Sequence, residues 1–250
     1  MNAAIRVEAQ KLVRSPVGVI GTLALVAGTL ALLGGITAAL ASGNPELTAK
    51  VGVAATLDWD GLLAGAAQIT SAGALLGFGV VLSWMFGREF ADGTITGLFA
   101  LPVSRATIAL AKLAVYAVWA VAVSVLLTVG ILALGLTLNY GAPSAETWAA
   151  LGRQTVLTIL TAAVAAPVAW VATLTRSLLA AVGGAIALVI VAQVGALAGA
   201  GGWMPLAAPA MWAMSNGTAA NPMQLALTVA FSAAFVGLTC ASWARLQLNR

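Results

Sequence analysis

The chain is 250 residues long, 62% hydrophobic and only 7% charged, with a net charge of +4. A soluble domain carries about 25% charged residues to solvate its surface, so water is excluded as the main solvent and lipid takes its place. Histidine is absent and Cys240 is the single cysteine, which excludes intrachain disulfides, His-based metal sites and Ser-His or Cys-His catalysis.

In lipid the backbone must satisfy its own hydrogen bonds, and apolar runs of about 20 residues select helices over alternating barrel strands. The predicted fold is an all-α integral membrane protein with six transmembrane helices and both termini cytoplasmic. One transmembrane domain occupies 1–250. Residues 1–16 are predicted as an amphipathic cytoplasmic helix, with Ile5, Ala9, Leu12 and Val13 on one face and Arg6, Gln10 and Arg14 on another. Arg6, Lys11 and Arg14 are its candidates for membrane-surface anchoring. The first span, 17–40, is longer than the apolar region of a signal peptide, about 7–15 residues, and is read as retained. The second covers 61–86, and a cytoplasmic loop follows over 87–105. The third covers 113–138, its helix beginning near Ala106. The fourth, 154–175, contains Pro167 as an expected kink, and the fifth, 177–200, follows across Arg176 as a tight hairpin. Residues 201–222 are broken by Gly201, Gly202, Pro205, Pro209 and Gly217. With Trp203 and Trp212 they read as an external interfacial or re-entrant segment before the sixth span, 223–244. Trp84, Trp148 and Trp243 read as interface anchors.

Six spans place Arg6, Lys11, Arg14, Arg88, Arg105, Lys112, Arg176, Arg245 and Arg250 on one side, and only Lys50 and Arg153 on the other. The positive-inside rule makes the first side cytoplasmic. The basic balance therefore reports topology, and no nucleic-acid partner is expected.

The loop is the most informative stretch. Ala91, Ile95 and Leu98 share one helical face, and Glu89, Asp92, Gly93 and Thr96 another. This spacing predicts an amphipathic helix over 88–101, ending at Leu101 before Pro102. Ser104 then caps a second helix that runs into the third span. On this reading Glu89 lies exposed in a first helical turn, where the dipole favours anions, and its charge is dispensable for stability to within about 0.5 kcal/mol. No phosphate-cradling GxxxxGK[ST] pattern occurs, and none of Lys11, Lys50 and Lys112 follows a glycine. The chain carries no ATPase site of its own. Gln68, Thr70, Ser71 and Gln193 are the notable polar groups inside the spans, where no charge is expected, and Gln68, Ser71 and Gln193 are the candidate lining of a translocation path.

Arg88-Glu89-Phe90, Gly93-Thr94, Leu101-Pro102-Val103-Ser104-Arg105 and Lys112, with Glu8, Lys11, Leu12, Arg14 and Ser15 before the first span, carry a resemblance. At these residues the chain resembles the permease subunits of type-2 family ABC transporters. The resemblance implies that 87–105 is a coupling loop docking on a separate ATPase subunit, with Arg88, Glu89, Asp92, Gly93, Thr94 and Arg105 as ATPase-coupling residues. It implies no cofactor on this chain, with ATP and Mg2+ on the partner ABC ATPase subunits. It also implies a second, identical permease copy, surrounding membrane lipid, and a multi-pass place in a bacterial plasma membrane. The expected function is export, in the manner of drug resistance, with no enzymatic activity in this chain. A path lined by Ala, Leu, Val, Thr, Gln and Gly offers no fixed charge to strip water from an ion, so the expected cargo is lipophilic or amphipathic. A secondary transporter is the first alternative, for which intramembrane acids or discontinuous helix pairs are expected. A non-transporting membrane scaffold or immunity protein is the second. Co-purification with an ATPase separates both from the leading reading.

Overall fold

A computed structural model describes residues 2–43, 50, 55–99 and 102–247. Leu101, the expected end of the loop helix, lies outside them, as do Glu46 and Arg250. Among the described residues there is no strand, and six helices are long and apolar enough to cross a membrane. The elements used below are α1 (Asn2–Val13), α2 (Pro16–Ala41), α3 (Trp59–Ala91), α4 (Ile95–Phe99), α5 (Arg105–Thr137), α6 (Ala145–Thr175), α7 (Leu178–Leu197), α8 (Ala208–Met214) and α9 (Pro222–Ala244).

The helix ends follow from local chemistry. Ser15 Oγ accepts the Gly18 N–H at 2.8 Å and Pro16 opens α2, so the chain turns sharply between α1 and the first span. Ser104 caps α5 by accepting the Thr107 N–H, as the sequence predicts. Asn221 and Gln224 form a capping box at the start of α9. The break expected at Pro167 falls at Ala165, where two helical segments meet within α6. Arg176, left-handed at φ 53°, makes the hairpin between α6 and α7.

Two helices outrun the spans read from sequence: that of the second continues to Ala91, and that of the fourth begins at Ala145. The third begins at Arg105, as the Ser104 cap predicts, and the fifth stops at Leu197, short of the expected 200. Charged residues mark where apolar solvent ends, but backbone hydrogen bonding carries a helix past that level. The helices consequently contain Glu89, Lys112 and Arg153, although the spans read from sequence contain no charge.

Helices α3 and α6 occupy the middle of the bundle, and α2, α7 and α9 keep broad apolar faces outward. The close approach of α3 to α7 rests on glycine: a Cβ on Gly79 would stand 2.6 Å from Ala185 Cβ, and one on Gly87 2.8 Å from Leu178 Cα. At one end of the bundle gather α1, α4, the Arg176 turn and residues 245–247, where Arg105 donates to the Leu246 carbonyl and Arg176 to the Gln247 carbonyl. Trp243 belongs to this end too, but not as an interface anchor. It is fully buried, edge-on to Phe86 and Phe90, and donates to Thr173 Oγ1 at 2.9 Å. At the opposite end Trp59 donates to the Gly141 carbonyl and Arg153 to Asn216. There the 201–222 segment folds back as a short 3-10 turn and α8, with Thr228 of α9 donating to Pro205.

Candidate coupling site

The sequence spreads its charged motif residues over more than a hundred positions, and the fold collects four of them in one place. Glu8 of α1 is 4% exposed, Glu89 of α3 3% and Lys112 of α5 1%. Lys112 Nζ donates to Glu8 Oε2 and Glu89 Oε1, each at 2.8 Å. Lys11 Nζ closes the ring, donating to Glu8 Oε1 at 3.0 Å and Glu89 Oε1 at 2.8 Å. Two carboxylates and two ammonium groups thus alternate in a closed, neutral square. Charges taken this far out of water persist only when paired and hydrogen-bonded, and here each is bonded to both of its opposites. Burial opposes the Lys11 charge, but the bonds from Glu89 and Glu8 outweigh it and hold the ammonium above its ordinary 10.5.

The second oxygen of Glu89 faces the loop. Thr94 donates its hydroxyl to Glu89 Oε2 at 2.5 Å, and the Thr94 carbonyl accepts the Leu98 N–H that begins α4. One carboxylate therefore touches α1 through Lys11, α5 through Lys112, and the threshold of α4 through Thr94. Gly93, at φ 67°, makes the turn between α3 and α4 possible. Its N–H returns to the Phe90 carbonyl and closes the end of α3.

This geometry corrects the expected placement of Glu89. It lies in the last turn of a spanning helix, not the first turn of a loop helix, and is buried rather than exposed. The predicted helix over 88–101 is replaced by the end of α3, a turn at 92–94, and the five-residue α4. Arg88 and Asp92 remain outside, paired at 2.9 Å across one turn, with the Arg88 guanidinium 5.0 Å from the Trp84 ring centre. In α4 Ile95 is buried while Thr96 and Gly97 are exposed. On α1, Glu8 and Leu12 face inward, Arg6 and Arg14 outward, and Val13 is exposed instead of sharing the apolar face. From sequence, Glu8 enters only through the resemblance and Lys112 through the resemblance and the count of basic residues, neither with a partner. The usable signal was a lone charge flanked by apolar neighbours, Ala111-Lys112-Leu113, which in a helix near lipid demands a partner.

The candidate path residues fall in three settings. Gln68 lines a cavity of about 610 Å³ at the opposite end, together with Asp60, Glu146, Arg153, Gln154 and Asn216. Ser71 donates to the Ala67 carbonyl of its own helix at 2.6 Å, within a π-helical turn over Thr70–Ala74. Gln193 stands exposed on α7. Asp58 caps α3, its carboxyl held below the usual range by the Gly61 N–H and the Thr56 hydroxyl.

The model of the ABC-2 family transporter proteins matches residues 4–194, which include all four corners of the square. The chain belongs to that family. Comparison with curated proteins finds no match. The family and the six apolar helices together make it a multi-pass membrane component of the ABC transporter type.

Proposed function

We propose that the chain is the permease subunit of an ATP-driven exporter in a bacterial plasma membrane, working as two identical copies with two ATPase subunits that bind ATP and Mg2+. The end that carries the charge square faces the cytoplasm, and α4 with the 92–104 loop docks on the ATPase. The observation that carries this reading is the position of Glu89, which links the start of α4 to α1 and α5 by direct hydrogen bonds. A displacement of α4 by the ATPase then moves three helices as a unit. In this reading Glu89 couples inside the permease, the exposed face of α4 meets the partner, and the Arg88–Asp92 pair holds the end of α3 beside that contact. Arg105 fixes the other side of the loop by its bond to Leu246. The cargo is lipophilic or amphipathic. The cavity holding Gln68 sets Leu63, Ala64, Ala67 and Ala150 beside Asp60, Glu146 and Arg153, so it carries the fixed charges that the spans read from sequence lack and offers an amphipathic compound both kinds of surface. Reconstitution tests the reading. The isolated chain hydrolyses no ATP, and vesicles holding the chain with its co-purifying ATPase export an amphipathic dye on ATP addition. Nucleotide binding by the isolated chain, or export without an ATPase, contradicts it.

A further inference from the structure

Where α1 turns into α2, an open cavity of about 630 Å³ lies against the last turns of α3. Lys11, Arg14 and Arg88 line it, with Asp92 as its one acid. Lys11 is committed to Glu8 and Glu89, so the charge square cancels it. Arg88 gives its Nε to Asp92, and no other described residue takes its two Nη groups. Arg14 is exposed and has no partner among the described residues. The cavity therefore keeps about one uncompensated positive charge and two guanidinium groups with free donors. The N-terminus of α2 opens onto it through Ser15 and Pro16 and adds the positive end of a long helix dipole. Val7, Pro16, Trp84 and Leu178 form an apolar wall beside these donors. Trp84 lies two turns from the end of a spanning helix, the level at which tryptophan meets lipid headgroups.

We propose that this cavity binds the phosphate of an anionic phospholipid, with Arg14 and the free Nη groups of Arg88 donating to its non-bridging oxygens. A phosphodiester carries one negative charge, which the cavity matches, and its glycerol and acyl chains lie along the apolar wall. Basic pockets between membrane helices are suited to such headgroups, and paired guanidinium donors fit phosphate geometry. The site is distinct from general attraction of α1 to a charged surface, because Arg6, also exposed on α1, does not line the cavity.

The test uses the full chain purified in neutral detergent, with phosphatidylglycerol, phosphatidylcholine and inorganic phosphate as separate probes. Native mass spectrometry reads retained lipid and a thermal scan reads stabilisation. The expected result is retention of phosphatidylglycerol over phosphatidylcholine, reduced about tenfold in Arg14→Gln, as loss of one charge-assisted bond implies. In Arg6→Gln retention is unchanged. Equal losses in the two variants overturn the proposal in favour of unspecific surface attraction. Inorganic phosphate that stabilises the protein in the same Arg14-dependent way overturns the lipid assignment, and equal retention of phosphatidylcholine overturns the charge argument.

Discussion

Glu89 shows how one side chain changes its meaning with its surroundings. An exposed carboxylate is dispensable, but this one is buried against Lys112, Lys11 and Thr94. Removing one partner of a buried ion pair leaves the other charge uncompensated, at a cost of about 3–5 kcal/mol. Glu89→Ala is therefore expected to lower the thermal stability of the purified permease strongly, with Lys112→Ala doing the same. The double variant is expected to lose much less than the sum, with a coupling of about 0.5–3 kcal/mol in the cycle. Additive losses would show that Glu89 and Lys112 act independently, and an unchanged transition in Glu89→Ala would show that its place in the square contributes nothing. Lys11 supplies a pH test. Its folded pKa lies above its unfolded value of 10.5, so its contribution is complete below that value and is lost as pH rises through the folded pKa. The attachment of α1, read by protease protection of residues 2–13, should hold at neutral pH and loosen only in strong alkali. Loosening between pH 6 and 8 contradicts this assignment.

At the scale of the element, α4 is too short to be stable alone, since isolated helices need about 12–15 residues. Its position is fixed by its neighbours: Thr94 at its start, Ile95 in the core, and Gly93 at the turn. A Cβ on Gly93 would meet nothing within 4 Å, so Gly93→Ala probes backbone geometry alone. The left-handed conformation costs a non-glycine residue about 1–2 kcal/mol. Gly93→Ala is expected to reduce stability by about that amount and to lower the ratio of transport to ATP hydrolysis in the reconstituted complex. Unchanged coupling in a folded variant would mean that the angle between α3 and α4 is unimportant. The same element shows why sequence misplaced the loop helix. The chain 88–101 has helical periodicity throughout, but Gly93 and Thr94 divide it by closing α3 and starting α4. The turn breaks the expected faces apart, leaving Ala91 exposed and Glu89 buried although periodicity assigns them the opposite sides.

For the whole molecule, the six helices were legible because lipid imposes length and apolarity on every span. The cap at Ser104, the break near Pro167 and the hairpin at Arg176 were legible because each depends on neighbours in the chain. The square was not, because its corners lie on α1, α3 and α5 and meet only through packing. Charge patterns placed Glu89 and Lys112 at a membrane edge but gave no reason to pair them. Trp243 was misread for the same reason, since its partners Phe86 and Phe90 lie on another helix. In the proposed function α4, anchored to the square, is where the ATPase meets this chain. Cysteine cross-linking tests it most directly, in the assembled complex with Cys240 replaced by alanine. Thr96→Cys and Gly97→Cys, both exposed on α4, should each cross-link to the ATPase, while Asn139→Cys at the opposite end should not. Cross-linking from Asn139, or none from either α4 position in a complex that still transports, would contradict it.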